Sequence, residues 1–141
     1  MPREALVKID NDIPFEHAAL FGCGVVTGVG AVINTANARE EDSVAIVGLG
    51  GVGLSALLAS LAVGSKKTIA IDLSDEKLTL ARELGADHTL NPKDENFLEE
   101  MRDLTFGGAN IAIETAGSGR ALETAYEITR RGGTTVAAGM P

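Results

Sequence analysis

The residues with the clearest chemical meaning are the glycines of GLGGVG, from Gly48 to Gly53. Gly48, Gly50 and Gly53 form the pattern G-x-G-x-x-G between two apolar runs. A glycine inside regular structure costs roughly 0.5–1 kcal/mol relative to alanine, so the group needs a compensating contact. In a turn from a strand into a helix, the first glycine permits the tight turn, the second admits a pyrophosphate, and the third lets helix and strand pack closely. The helix start adds free N–H groups and partial positive charge. The stretch therefore predicts a phosphate-binding turn.

A carboxylate follows this turn at the distance that a dinucleotide site requires. Asp72 ends the next apolar run, nineteen residues after Gly53, and a spacing of about 20 is typical of such sites. Its carboxylate can accept hydrogen bonds from both ribose hydroxyls and would repel a 2′-phosphate. The two motifs together predict a chain that binds NAD rather than NADP. The alternative is a turn that only packs a helix, with Asp72 as an acid at a helix start.

The remaining polar residues do not form a reacting pair. Tyr126 and Arg130 are four residues apart, which resembles the Tyr-x-x-x-Lys pair of short-chain dehydrogenases, but the second residue is not lysine and Tyr126 is expected on a buried helix face. His17 and His88 lack metal-ligand spacing, so we expect them at the surface or at a strand edge. Glu114 is expected near the cofactor cleft without an evident partner. We therefore name no catalytic residue.

Strand-like and helix-like stretches alternate from Ser43 onward. The strands are continuous apolar runs, as in a parallel sheet that is covered on both faces. Right-handed crossovers then predict an α/β fold with a doubly wound parallel sheet (Rossmann), of about five strands in the order 3-2-1-4-5. The predicted strands are 43–48, 68–72, 87–91, 110–114 and 134–139. The predicted helices are 52–63, 74–85, a helix that begins at Pro92, and 120–131. Gly107 and Gly108 are expected to end the third helix, and Gly132 and Gly133 the fourth. Apolar spacing predicts that these helices bury Leu78, Ala81, Leu84, Phe97, Met101, Leu104, Leu122, Ala125 and Tyr126.

Residues 1–42 are expected to form a lead-in segment rather than part of the strand pattern. Their helical stretch carries Gly22, Gly24, Gly28 and Gly30, and we expect it to pack closely on the sheet. With residues 43–141 as the sheet unit, the 141 residues have the size of a single domain.

The composition argues against several kinds of partner. The 20 acidic and 12 basic residues give a net charge of −8, which disfavours binding to nucleic acid. Cys23 is the only cysteine, so no intrachain disulfide can form and a cytoplasmic setting is expected. No stretch is expected to reach the roughly 18 apolar residues of a membrane span, and the N-terminus has no signal pattern.

The stretch GCGVVTGVGAVINTA, at residues 22–36, followed by GLGGVG, closely resembles the zinc-dependent medium-chain alcohol dehydrogenases. The resemblance is to their cofactor-binding half and runs from about Ala5 to Pro141. It implies hydride transfer between a primary or aryl alcohol, or its aldehyde, and NAD. In that family, zinc polarises the alcohol oxygen and lowers its pKa, so that an alkoxide can give hydride to the nicotinamide.

The resemblance also implies roles for individual residues. It implies that Cys23 is a ligand of the catalytic zinc in the intact enzyme and that Thr27 lines the nicotinamide. It implies that Lys77 contacts the ribose beside Asp72, and that the backbone near Gly139 faces the nicotinamide amide. The residues implied to bind the cofactor are Thr27, Gly48, Leu49, Gly50, Gly51, Val52, Gly53, Asp72, Lys77, Ala138, Gly139 and Met140.

Parts of the family pattern are missing from the 141 residues. By that resemblance, we expect the catalytic domain, with the other zinc ligands, and the sixth strand of the sheet to lie outside these residues. Because one cysteine cannot hold zinc, we expect zinc and dehydrogenase activity only in a longer parent protein. The last strand is expected to be an exposed edge that pairs with a second copy or is covered by the N-terminal segment.

Two alternatives stay open at the level of the sequence. One is a zinc-free medium-chain quinone or enoyl reductase, in which a ligand such as Cys23 would have no use. The other is a domain without catalysis, which either senses NAD(H) or binds a partner without a nucleotide.

Overall fold

The computed structural model describes Glu4 and residues 6–140, and its centre is a parallel sheet with the strand order β3-β2-β1-β4-β5. Each pair of neighbouring strands is parallel. The predicted fold class and strand order are therefore confirmed. The strands are β1 (Ser43–Val47), β2 (Lys67–Ile71), β3 (His88–Leu90), β4 (Ala109–Glu114) and β5 (Thr129–Ala137), and the helices are α1 (Phe15–Thr35), α2 (Gly51–Val63), α3 (Asp75–Glu83), α4 (Phe97–Thr105) and α5 (Gly119–Ile128).

The sheet has an apolar core on each of its two faces. Val44 and Ile46 of β1 are buried on the face that α2 and α3 cover. Ala45 and Val47 of the same strand are buried on the face that α4 and α5 cover. Because successive strand residues point to opposite faces, a strand that is covered twice must be apolar throughout, and this explains the runs that predicted the sheet.

The helix α4 begins later than the sequence predicted. It starts at Phe97 rather than at Pro92. The side chain of Asn91 accepts a hydrogen bond from the backbone N–H of Lys93 at 3.1 Å, and this local bond holds the chain in a turn before the helix. Asparagine commonly stabilises turns in this way.

The helix α5 is shorter and the strand β5 is longer than predicted. The helix ends at Ile128, and β5 includes Gly132 and Gly133, which were expected to lie between the two elements. A Cβ atom at Gly133 would lie only 2.7 Å from the carbonyl oxygen of Asn110. Gly133 thus lets an irregular part of β5 approach β4 closely, where the register between the two strands shifts.

Three side chains that were predicted to be buried are exposed, namely Leu84, Leu122 and Tyr126. The helix α5 buries Ala125 and Ile128, which are three residues apart. Tyr126 follows Ala125 and is turned from it by about 100° around the helix, so that its side chain is 76% exposed. The apolar pattern was therefore right for Ala125 and wrong for Leu122 and Tyr126.

The helix α1 packs closely, as predicted, but its close contact is with α2 rather than with the sheet. A Cβ atom at Gly28 would lie 2.2 Å from the carbonyl oxygen of Val52 and 2.8 Å from the backbone nitrogen of Ala56. The two helix backbones therefore touch, and only glycine fits between them. Ala31 and Val32 continue the contact into the core.

The helix α1 is also long and apolar enough, by length and composition, to cross a membrane. The expectation that no stretch approaches a membrane span is therefore wrong. Phe15, Leu20 and Phe21, in the first half of the helix, are exposed, whereas the second half packs on α2 and the core through Gly28 and Val32.

Candidate nucleotide-binding site

The glycine turn joins β1 to α2 and leaves the start of α2 uncovered. Gly48 has a φ of +97°, a conformation that favours glycine. A Cβ atom at Gly50 or Gly51 would meet no heavy atom of the described residues within 4 Å. The first N–H groups of a helix have no partner within the helix, and the helix dipole is positive at this end. Bare backbone with this polarity borders open space, which suits an anion.

The third glycine of the motif has a packing role. A Cβ atom at Gly53 would lie 1.8 Å from the carbonyl oxygen of Gly48 and 2.7 Å from Oγ1 of Thr115. The helix α2 therefore packs directly against the turn and against the residue that follows β4. This arrangement agrees with the close packing that the sequence motif assigns to this position.

The carboxylate of Asp72 is held at the glycine turn. Its Oδ2 accepts a hydrogen bond from the backbone N–H of Leu49 at 2.7 Å, and its Oδ1 accepts one from the backbone N–H of Ser74 at 2.9 Å. The ammonium group of Lys77 lies 3.7 Å from Oδ2. The side chain of Asp72 is 10% exposed, against 48% for Lys77. A carboxylate has about four acceptor sites, so this fixed group retains acceptors for a ligand.

A cavity of about 650 Å³ opens at the carboxyl edge of the sheet. Its walls include Gly48, Asp72 and Lys77, together with Pro92 and other residues of the loop after β3 and Ala116 in the loop after β4. At this edge β1 lies beside β4, and the helices that follow these two strands cover opposite faces of the sheet. Doubly wound sheets bind their ligands at such a point. The volume is that of an ordinary small-molecule site.

Two residues from the family resemblance, Cys23 and Thr27, lie on α1 and do not line the cavity. Thr27 precedes Gly28, which contacts the start of α2. Cys23 is a free, exposed cysteine. Within Glu4 and residues 6–140, no three His, Cys, Asp or Glu side chains are grouped so that they could hold a metal ion. Zinc sites need three or four protein ligands, so these residues do not assemble a zinc site around Cys23.

The chain from Ala138 to Met140 follows β5 and lies against the loop after β4. The backbone N–H groups of Ala138 and Gly139 donate to the carbonyl oxygen of Glu114 at 2.8 and 3.0 Å. A Cβ atom at Gly117 would lie 2.0 Å from the carbonyl oxygen of Met140. The segment therefore reaches the same edge of the sheet as the glycine turn, outside the wall of the cavity.

Two neighbouring residues have contacts at this edge that the sequence did not indicate. Glu114 is buried, and its Oε1 accepts a hydrogen bond from the backbone N–H of Gly117 at 2.6 Å. Thr115 donates its hydroxyl hydrogen bond to the carbonyl oxygen of Gly48 at 2.6 Å. Only the predicted strand order could have indicated these contacts. It places β4 beside β1, so the residues that end the two strands lie close together.

A doubly wound sheet with an open glycine turn and a fixed carboxylate at its switch point has the features of a dinucleotide-binding domain. Comparison with known families narrows this class. Residues 51–141 match the family described as zinc-binding dehydrogenase. The chain belongs to that family.

Individual relatives agree with the family match. S-(hydroxymethyl)glutathione dehydrogenase of Paracoccus denitrificans is 37% identical over 139 residues, which cover 94% of this chain and 37% of that protein. Geraniol dehydrogenase of Castellaniella defragrans is 40% identical, over 96% of this chain and 36% of that protein. The crystal structure of benzyl alcohol dehydrogenase from Acinetobacter calcoaceticus superposes with a TM-score of 0.89 at 37% identity, over 96% of this chain and 37% of that one.

The chain spans little more than a third of the length of the curated relatives it matches. Its fold is the soluble α/β dehydrogenase fold of these structures. The apolar helix α1, whose second half packs on α2, is therefore not sufficient to indicate a membrane span.

Proposed function

We propose that this chain is the NAD(H)-binding part of a zinc-dependent alcohol dehydrogenase. The observation that carries the proposal is the carboxylate of Asp72, held 2.7 Å from the backbone nitrogen of Leu49 at the rim of an open glycine turn. An acid at this position accepts hydrogen bonds from the ribose hydroxyls of NAD. The family match and the named dehydrogenase relatives support the same conclusion.

The residues of the chain bind and orient the dinucleotide in this proposal. The backbone N–H groups of Gly50, Gly51 and Val52 would bind the pyrophosphate, since they lie at the start of α2 and the space around the first two residues is open. Asp72 accepts hydrogen bonds from the ribose hydroxyls beside Lys77. Leu49 contributes the N–H group that fixes Asp72, while its side chain is buried in the core.

The nicotinamide end lies on residues outside the cavity. Thr27 on α1 and the backbone from Ala138 to Met140 would flank it, as the family resemblance implies. Bound there, the nicotinamide would supply the acceptor for a hydride from the alcohol carbon. These residues would fix the position of the ring, and the backbone of Met140 is itself held by its close packing on Gly117.

The substrate of the parent enzyme is proposed to be a primary or aryl alcohol, or the matching aldehyde. Two relatives are named for such alcohols, geraniol and benzyl alcohol. Cys23 would supply one zinc ligand in the parent, with the other ligands outside the residues described. A family match to zinc-binding dehydrogenases does not favour a zinc-free reductase or a sensing module.

We also propose that the protein is cytoplasmic and binds neither nucleic acid nor a membrane. The net charge of −8 and the soluble dehydrogenase fold support this proposal.

The strand β5 lies at the edge of the sheet, and we propose that it pairs with β5 of a second copy. Of the residues described, none between 6 and 14 joins β5 by a backbone hydrogen bond. The N–H group of Ala138 points to β4, so by alternation that of Ala137 points outward. Ala137→Pro removes the outward donor and keeps the bonds to β4.

Sedimentation equilibrium is expected to show a dimer for the wild-type chain and for Ala137→Thr, which retains the donor, and a monomer for Ala137→Pro. A wild-type monomer with rapid amide exchange along β5 would contradict the pairing.

The carboxylate of Asp72 gives the sharpest test of the proposed function. Hydrogen bonds to a charged group are worth about 1.5–3 kcal/mol, so Asp72→Asn is expected to weaken NADH binding by about tenfold or more. The same change removes the repulsion of a 2′-phosphate, so the preference for NADH over NADPH should narrow. Both affinities are measured by fluorescence titration of the purified chain.

Asp103→Asn is the matched control. Asp103 is exposed on α4 and lies outside the cavity wall, so the control removes the same charge without touching the site. A wild-type chain that does not bind NADH, or that binds NADPH equally well, would refute the proposed function.

A further inference from the structure

Thr115, the first residue after β4, holds the glycine turn from the side opposite to Asp72. Its hydroxyl group donates to the carbonyl oxygen of Gly48, with an Oγ1 to oxygen distance of 2.6 Å, and it also lies 3.2 Å from the carbonyl oxygen of Val47. The backbone N–H of Thr115 donates to the same Val47 oxygen at 2.8 Å. Thr115 is therefore bonded to the last residue of β1 and to Gly48, the residue after it.

The peptide group between Gly48 and Leu49 has a partner at each end. Its carbonyl oxygen accepts from Thr115 at 2.6 Å, and its N–H group donates to Oδ2 of Asp72 at 2.7 Å. A peptide group is planar and rigid. A rotation that breaks the bond to Thr115 must therefore also turn the N–H group away from Asp72.

The space around this peptide group leaves little room for another arrangement. Gly53 lies so close that a Cβ atom there would be 2.7 Å from Oγ1 of Thr115 and 1.8 Å from the carbonyl oxygen of Gly48. The N–H of Gly48 is fixed by a bond to the carbonyl oxygen of Ile71 at 2.8 Å. The hydroxyl of Thr115 is thus the side-chain contact that the Gly48 carbonyl oxygen itself receives, and with Asp72 at the N–H end it sets the direction of the peptide group.

We propose that Thr115 is a positioning residue for the dinucleotide. Its hydroxyl orients the Gly48–Leu49 peptide group, which aims the start of α2 at the pyrophosphate and holds the carboxylate of Asp72 toward the ribose. The inference rests on the proposed function and adds to it a residue that touches no part of the ligand.

Thr115→Val keeps the shape of the side chain and removes the hydroxyl. It is expected to weaken NADH binding about tenfold and to narrow the preference for NADH over NADPH, because Asp72 loses its fixed orientation. Thr115→Ser retains the hydroxyl and is expected to restore NADH affinity to within about twofold of wild type. A residue that only filled space would not be rescued by serine and would not change the choice between the two nucleotides.

Thr79→Val is the matched control, because Thr79 on α3 also donates its hydroxyl to a backbone carbonyl, that of Asp75, but lies outside the cavity wall. All variants are titrated with NADH and NADPH after urea unfolding has shown that they fold. If Thr115→Val does not fold, Thr115→Ala removes the same hydroxyl with less bulk and is measured in its place.

The outcomes separate the two proposals. The role of Thr115 would be overturned if folded Thr115→Val or Thr115→Ala bound NADH with wild-type affinity, or if Thr115→Ser did not restore the affinity. Either result would leave the proposed function intact. A wild-type chain that fails to bind NADH would overturn both.

Discussion

Gly53→Ala is expected to lower the free energy of unfolding by about 3 kcal/mol, at the upper end of the usual cost of overpacking. The added methyl group would lie 1.8 Å from the carbonyl oxygen of Gly48 and 2.7 Å from the hydroxyl of Thr115. Neither obstacle is the free end of a flexible side chain, because the carbonyl belongs to the turn and the hydroxyl is bonded to it. The helix α2 would have to move away from the sheet. Urea unfolding followed by circular dichroism measures the effect.

Gly51→Ala is the control for this prediction. Gly51 is the first residue of α2, and a methyl group there would reach no heavy atom within 4 Å in the part of the chain that the structure describes. Alanine also favours helix over glycine by up to about 1 kcal/mol, so stability should be equal or slightly higher. A Gly53→Ala protein with the wild-type unfolding midpoint would show that the turn is not packed as described.

Gly50→Ala is expected to leave the free energy of unfolding unchanged and to weaken NADH binding about 100-fold. The backbone of Gly50 is extended, with φ −80° and ψ −170°, which alanine adopts without strain. The methyl group would stand in the open space over the start of α2, where the pyrophosphate is proposed to approach the backbone. Charge-assisted bonds to phosphate are among the stronger hydrogen bonds, so losing their geometry costs much affinity. Calorimetric titration with NADH gives the affinity.

Gly30→Ala is the matched substitution away from the turn. Gly30 lies on α1, and the atom nearest to an added methyl group would be the side-chain nitrogen of Asn34 at 3.8 Å. NADH affinity should therefore equal that of wild type. Gly50→Ala with wild-type affinity would place the pyrophosphate elsewhere.

The sheet was predictable because each central strand is covered on both faces. Val44 to Val47 must all be apolar to be buried in two cores, and such continuous runs carry a strong signal in the sequence. The strand order followed from the handedness of the crossovers. The same reasoning placed only Ala125 of its three residues on the inward face of α5, since a helix of ten residues with several small and apolar side chains has more than one plausible inward face.

The errors at helix boundaries have a local cause. The side-chain bond from Asn91 to the backbone of Lys93 delays the start of α4, and a single polar side chain of this kind is not visible in the hydrophobic pattern. The close approach of Gly133 to Asn110 extends β5, and it depends on a neighbouring strand rather than on the glycine's own sequence neighbours.

The candidate site was predictable where its residues are close in sequence. The glycine turn and Asp72 belong to one strand–helix–strand unit with a fixed spacing. The contact of Thr115 with Gly48 joins residues 67 positions apart, and no local motif marks it. The grouping of Gly117 with Met140 likewise arises only when β4 and β5 are paired.

Amide chemical shifts, measured by NMR while the purified chain is titrated with NADH, test the dinucleotide site most directly. We expect the largest changes at the amides of Gly50, Gly51 and Val52, and at the amides of Leu49 and Ser74, which bond to Asp72. Changes that leave this turn untouched, or no changes at saturating NADH, would show that the open backbone and its carboxylate do not bind the nucleotide.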